Sequence, residues 1–93
     1  TITLDSVVDG ASAGDMNLAW TPSGSFPSGF KMLYSTTEAS PTYENASMVA
    51  AGSSDTTGTI NGTAATHYYV RVCKFTGSGC SIYSNILEIT TAP

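Results

Sequence analysis

Two cysteines, one histidine and seven acidic residues set the chemistry open to this chain of 93. His67 is the only side chain suited to general-base work near neutral pH, and a hydrolase would pair it with a serine nucleophile and an orienting acid. No Gly-x-Ser-x-Gly elbow accompanies it, so His67 is read as a solvent-facing strand residue. Asp5, Asp9 and Asp15 bracket a turn and carry the oxygens that Ca²⁺ takes. They lack the D-x-[DN]-x-[DN]-G spacing that wraps a loop around the ion, and are read as solvated acids. Glu38 and Glu44 supply the two carboxylates that glycoside hydrolysis needs, but both fall on one connection of a domain too small to hold a cleft. No catalytic residue, metal ligand or cofactor is assigned, and the chain is not read as an enzyme.

Cys73 and Cys80 are the remaining pair. Lys-Phe-Thr-Gly-Ser-Gly separates them, which is turn chemistry between two strand-like runs. Paired strands bring Cβ atoms within bonding range, so a cross-hairpin disulfide is predicted. Closing so short a loop stabilises by about 2–3 kcal/mol in the chain-entropy model. The rival reading, half of a metal site, has a single histidine and no second cysteine pair to complete it. A disulfide implies an oxidising compartment, so the expected location is extracellular, secreted or at a cell surface.

Composition narrows the partners. The net charge of −4 rests on seven acids against Lys31, Arg71 and Lys74. No basic patch can neutralise a run of phosphates, which disfavours nucleic acid and an anionic membrane surface, and no nucleic-acid partner or membrane insertion is expected. No apolar run reaches the ~20 residues of a membrane helix. No signal peptide is visible and Thr1 opens at once in a strand-like pattern, so the sequence is read as a mature fragment or an excerpt of something longer. Asn45-Ala46-Ser47 and Asn61-Gly62-Thr63 match the glycosylation acceptor pattern, of the kind that arises by chance in a chain this rich in Ser and Thr.

The elements that must position these residues are strands. Ile2–Val7 is followed by a turn-rich stretch. Met16-Asn17-Leu18-Ala19-Trp20 alternates strictly, and so does Phe30-Lys31-Met32-Leu33-Tyr34. Between them lies a Pro-, Ser- and Gly-rich loop. A long connection from Ser35 to Asn45 leads to a weak strand over Ala46–Ala51, expected near an edge, and then to Thr56–Ile60. In Tyr68–Phe75, Tyr68, Val70 and Val72 face inward, with Tyr69, Arg71 and Cys73 outward. Ile82–Thr91 closes the set, its alternation slipping at Ile86 and Leu87 as at a bulge. No helical period is present, and Pro41 argues against a helix in 35–45. The pattern predicts an all-β fold: one seven-stranded antiparallel β-sandwich over residues 1–93, with 90–93 as a linker toward a possible next module.

Specific residues then resemble a family. Trp20 on the second strand, Tyr34 on the third, Ile60 before a turn, and Thr66-His67-Tyr68-Tyr69-Val70-Arg71-Val72 resemble fibronectin type III domains. So does the ending Tyr83-Ser84-Asn85-Ile86-Leu87-Glu88-Ile89-Thr90-Thr91. The resemblance implies an immunoglobulin-like sandwich whose core includes Trp20, Tyr34, Ile60, Tyr68, Val70 and Val72, with aromatics of the second and third strands packing across it. It makes Tyr68 the tyrosine-corner residue, its hydroxyl bonded back to the backbone. The connection from Tyr34-Ser35-Thr36-Thr37 to Pro41-Thr42-Tyr43, and a cysteine pair on the last hairpin, are similar to bacterial secreted versions. Ala64-Ala65 departs from the Leu and Pro frequent there, and no Arg-Gly-Asp triplet is present. An immunoglobulin domain fits less well, because its disulfide spans a long sequence gap between sheets.

The expected role is a non-catalytic spacer module in a larger secreted or cell-surface protein, in contact with neighbouring modules. The alternative is adhesion to a protein or polysaccharide surface through Phe26, Lys74 and Phe75, placed on two loops expected at one end of the sandwich. A third reading is self-association into a fibre through edge strands such as Ile2–Val7 or Ile86–Thr90.

Overall fold

A computed structural model describes all residues from Thr1 to Pro93. The chain forms eight strands: β1 (Ile2–Asp9), β2 (Asp15–Pro22), β3 (Phe30–Ser35), β4 (Ser47–Ala51), β5 (Thr57–Asn61), β6 (His67–Phe75), β7 (Cys80–Tyr83) and β8 (Leu87–Thr90). They make two antiparallel sheets. The first runs β1-β2-β5, and the second runs β4-β3-β6, with β7 and β8 each pairing with β6.

Strict alternation places the core. Met16, Leu18 and Trp20 of β2 are buried while Asn17 and Thr21 face water. Phe30 and Met32 of β3 and Tyr68, Val70 and Val72 of β6 meet them from the other sheet, with Ile60 at the end of β5. Trp20 meets Phe30 edge-on at 5.5 Å, and Phe26 lies 4.8 Å from Phe30. Each such pair adds about 0.5–1.5 kcal/mol beyond its area burial. Tyr34 is half-buried at the margin of this cluster and packs edge-on against Tyr68 at 5.9 Å. Trp20 thus finds its aromatic partner at the start of β3 and Tyr34 finds its own on β6. The indole N–H of Trp20 has no protein hydrogen-bond partner. Such a group costs about 1–3 kcal/mol, which ring packing offsets.

The eighth strand corrects the expected count of seven. Residues 82–91 do not form one bulged strand; the strand breaks at Ser84-Asn85-Ile86. Ser84 turns its side chain inward, and its Oγ accepts the Val72 N–H at 2.9 Å, while its own N–H donates to the Val72 carbonyl at 2.8 Å. Asn85 then leaves the second sheet altogether. Its Oδ1 accepts the Leu4 N–H at 2.8 Å and its Nδ2 donates to the Leu4 carbonyl at 3.1 Å. One side chain replaces a strand partner on the outer edge of β1, beside the bulge that shifts register between Leu4 and Ser6. That part of the Ile2–Val7 edge is therefore occupied.

A second departure concerns Cys73. Its position in β6 puts it on the outward face with Arg71, as expected, yet it is 0% exposed, and so is Leu33 on β3. The connection between β3 and β4 lies over this face and keeps water from both. The chain end is also held. Thr91 is buried, and its hydroxyl donates to the Thr63 carbonyl at 2.6 Å and accepts the Thr66 N–H at 3.0 Å. Ala92 N–H reaches Asp9 Oδ1 at 3.1 Å. Thr91 and Ala92, in the segment expected as a linker, are thus hydrogen-bonded to the β5–β6 turn and to β1.

Replacing Asn85 removes both partners of Leu4. Asn85→Ala is expected to cost about 1–3 kcal/mol, two hydrogen bonds' worth. That lowers Tm by roughly 4–8 °C per kcal/mol in a domain of this size, read by calorimetry.

Candidate functional site

The residues singled out for chemistry fall far apart. His67 sits exposed at the start of β6, its Nε2 2.9 Å from Glu88 Oε1 and its Nδ1 3.1 Å from Thr90 Oγ1. These are cross-strand contacts to β8, worth at most about 1 kcal/mol at such exposure. No serine hydroxyl is hydrogen-bonded to the ring. Asp5 accepts the Thr21 hydroxyl at 2.6 Å, Asp9 the Ala92 N–H and Asp15 the Ser12 N–H at 3.3 Å. The three carboxylates serve three separate donors, and no three His, Cys, Asp or Glu side chains are grouped to hold a metal. Glu38 and Glu44 are both exposed on the β3–β4 connection. Asn45 is engaged, its Oδ1 accepting the Thr42 N–H at 2.7 Å, and Asn61 is exposed at the end of β5. The surface has two shallow depressions. One lies on the outer face of the first sheet around Ser6, Asn17 and Thr59, the other at the foot of the β3–β4 connection around Tyr34, Ser35 and Asn45. Neither is lined by a charged side chain.

The three residues considered for binding divide between two faces. Phe26 is only 7% exposed and belongs to the core cluster. Lys74, paired in register with Phe30, lays its ammonium 5.5 Å from the Phe26 ring. Phe75 projects from the opposite face of the same strand. There the Lys31 ammonium lies 4.4 Å from its ring centre and Tyr43 stacks on it at 6.2 Å.

That outer face holds the most elaborate arrangement in the molecule. Cys73 and Cys80 are joined in a disulfide, with Cα atoms 5.7 Å apart. Phe75 pairs in register with Cys80 and Cys73 with Tyr83, so all four side chains share the face. The β3–β4 connection is fastened over them. Pro41 is fully buried, and its carbonyl accepts from Arg71 Nη1 at 3.4 Å. Tyr43 N–H donates to the Tyr83 hydroxyl at 3.2 Å. Arg71 also donates through Nε and Nη2 to the Ser84 carbonyl, at 3.0 and 2.7 Å, with its guanidinium 4.7 Å from the Tyr83 ring centre. Burial lowers the Arg71 pKa from its ordinary value, and the charge interaction with Tyr83 works the other way.

At the other end of the sandwich, Thr63 N–H donates to the Tyr68 hydroxyl at 2.8 Å. The intervening turn holds Ala65 at φ 51°, a left-handed conformation rare for a residue with a Cβ. Ala65 N–H donates to the Ala92 carbonyl at 3.0 Å, which keeps the turn in place.

No family model and no curated protein matches this sequence. Solved structures do. The fn3 domain of human contactin 1 superposes over 96% of this chain and 76% of its own, with a TM-score of 0.73 at 18% identity. The sixth fibronectin type III domain of human fibronectin type III domain containing protein 3 matches over 98% and 82%, with a TM-score of 0.60 at 21% identity. This chain has the fibronectin type III fold. It also covers one 32% portion of the FN1–FN3 domains of chicken CNTN1, with a TM-score of 0.73 at 18% identity. In a fibronectin type III frame, the hydrogen bond of Tyr68 to Thr63 occupies the place of the tyrosine corner.

Sequence reasoning missed the outer layer. Leu33 and Pro41 lie buried in it, and Tyr43 and Arg71 are half-buried there. Two adjacent apolar pairs carried the signal, Met32-Leu33 and Val72-Cys73. A strand covered on both faces loses its alternation.

Tyr68→Phe keeps the ring and removes the acceptor of the Thr63 N–H, which lies on an exposed turn residue, so a loss of about 0.5–1.5 kcal/mol is expected in denaturant unfolding with m unchanged. Ala65→Gly relieves the left-handed conformation, whose cost is roughly 1–2 kcal/mol, at the expense of up to about 1 kcal/mol of chain entropy. A net rise in Tm is expected, whereas Ala65→Val lowers it.

Proposed function

We propose that this chain is a non-catalytic structural module, a spacer within a larger secreted or cell-surface protein of bacterial type. The observation that carries the reading is where the backbone enters and leaves. Thr1 exchanges hydrogen bonds with Ser23, at the pole formed by the β2–β3 and β6–β7 loops. Ala92 lies at the other pole, bonded to Asp9 and Ala65. β1 runs between the two poles of a body measuring 37 × 24 × 18 Å. A module threaded in this way adds its full length to whatever chain contains it, and its partners are the neighbouring modules.

Other features support this reading. The Cys73–Cys80 bond fits an oxidising, extracellular setting. The first pole is built from Ser-Gly-Ser and Thr-Gly-Ser stretches, and its one loop aromatic, Phe26, is turned into the core. Binding hot spots are usually aromatic or Arg anchors, and the other ring at this pole, Phe75, is half-buried against Tyr43 and Lys31. Adhesion through Phe26, Lys74 and Phe75 is the second reading, favoured by the two cation–ring pairs at that rim. Chemical-shift changes at Lys74 and Phe75 on titration with polysaccharides would move the balance toward it.

Small-angle scattering on one, two and three fused copies tests the spacer. The maximum dimension is expected to grow by about the 37 Å long axis per added copy. Growth far below that, from copies folding back side by side, overturns the proposal.

A further inference from the structure

The outer face of the second sheet carries the Cys73–Cys80 bond, and the β3–β4 connection is fastened across the same face. Cys73 is 0% exposed and Cys80 is half-buried. The β3–β4 connection touches the hairpin that carries them on both sides of its turn. On one side the Tyr43 ring stacks on Phe75; on the other it lies within 3.9 Å of the position a Cβ would take at Gly79. Behind Tyr43, Pro41 is buried and tied to Arg71, and the Tyr43 backbone is tied to Tyr83. No other segment of the β3–β4 connection is fastened in this way to β6 and β7.

Thiol–disulfide exchange requires a thiolate to approach one sulfur while the other leaves with the electron pair. Cys73 offers no surface for approach. As a leaving thiolate it would form in a site without water, where the charged form is disfavoured. The guanidinium of Arg71 is already committed to the Ser84 and Pro41 carbonyls. We propose that residues 36–46 form a strap guarding Cys73–Cys80 as a one-sided thiol-exchange site: a thiol reacts only at Cys80, and only while Tyr43 is lifted from Phe75 and Gly79. The attacking thiolate bonds to Cys80 Sγ, the Cys73–Cys80 bond breaks, and Cys73 Sγ takes the electron pair and then a proton from the solvent that enters while the strap is lifted. With a dithiol reductant, its second thiolate attacks the mixed disulfide, releases Cys80 and closes the reductant's own ring. The strap therefore sets the rate at which the hairpin can be opened by a thiol, separately from the stability of the sandwich.

The test is the rate of reduction of the folded chain by dithiothreitol, followed by alkylation and mass measurement, on the wild type and three variants. Tyr43→Ala is expected to react roughly threefold to tenfold faster, the scale of one lost aromatic contact. Tyr43→Phe, which keeps the stack, is expected to stay at the wild-type rate. Tyr68→Phe weakens the fold at the opposite end of the sandwich, through the Thr63 N–H, and is also expected to stay near it. With the monothiol 2-mercaptoethanol, the trapped adduct on the unsubstituted chain is expected on Cys80, a readout that needs no variant. Equal rates for wild type and Tyr43→Ala, acceleration by Tyr68→Phe as large as by Tyr43→Ala, or an adduct on Cys73 each overturn the proposal.

Discussion

Everything in this fold depends on pairing the backbone where its last ribbon fails to stay a ribbon. A buried N–H or carbonyl left without a partner costs about 1–3 kcal/mol, so a strand cannot simply stop inside a sandwich. Ser84 and Asn85 solve this with side chains. Ser84 Oγ takes the Val72 N–H that a continuing strand would have taken, and Asn85 carries the interaction across to Leu4 in the other sheet. The two sheets are thus joined by directed polar contacts as well as by Trp20, Phe30 and their neighbours. The bonds to Leu4 lie beside the point where the β1–β2 register shifts.

A domain of this size buries little surface, and 41% hydrophobic content is modest. The chain compensates by using both faces of one sheet. The inner face makes the common core. The outer face gathers Leu33, the Cys73–Cys80 bond, Pro41, Tyr43, Phe75 and Tyr83 under a loop, and Arg71 holds the loop to the broken ribbon. Such a layer needs no additional strand. It needs apolar residues in a connection that otherwise reads as polar.

This explains which parts were legible in the amino acids. Alternation is a one-dimensional signal, so β2, β3 and β6 and their inward residues could be read directly, and Tyr68 could be placed from its surrounding run. The disulfide followed from two cysteines flanking a turn. The break at Ser84 was not visible, because it depends on a hydroxyl meeting a backbone group 12 positions away in sequence. The covered outer face was hidden for a similar reason. Nothing local in Ser35–Asn45 states which surface the loop will cross. Phe26 belongs with these cases: in a loop of Pro, Ser and Gly its ring has no local reason to turn inward, and it does so because Phe30 offers it a face at 4.8 Å.

The opposed positions of Thr1 and Ala92 also determine how the molecule carries tension. A load applied through its two ends acts along β1 and not across it. The seven register pairs between β1 and β2 are then strained together, in shear, instead of opening one after another like a zip. The contacts of Asn85 with Leu4 lie on the same line of force, so a single amide side chain is part of what this small sandwich would rely on under traction.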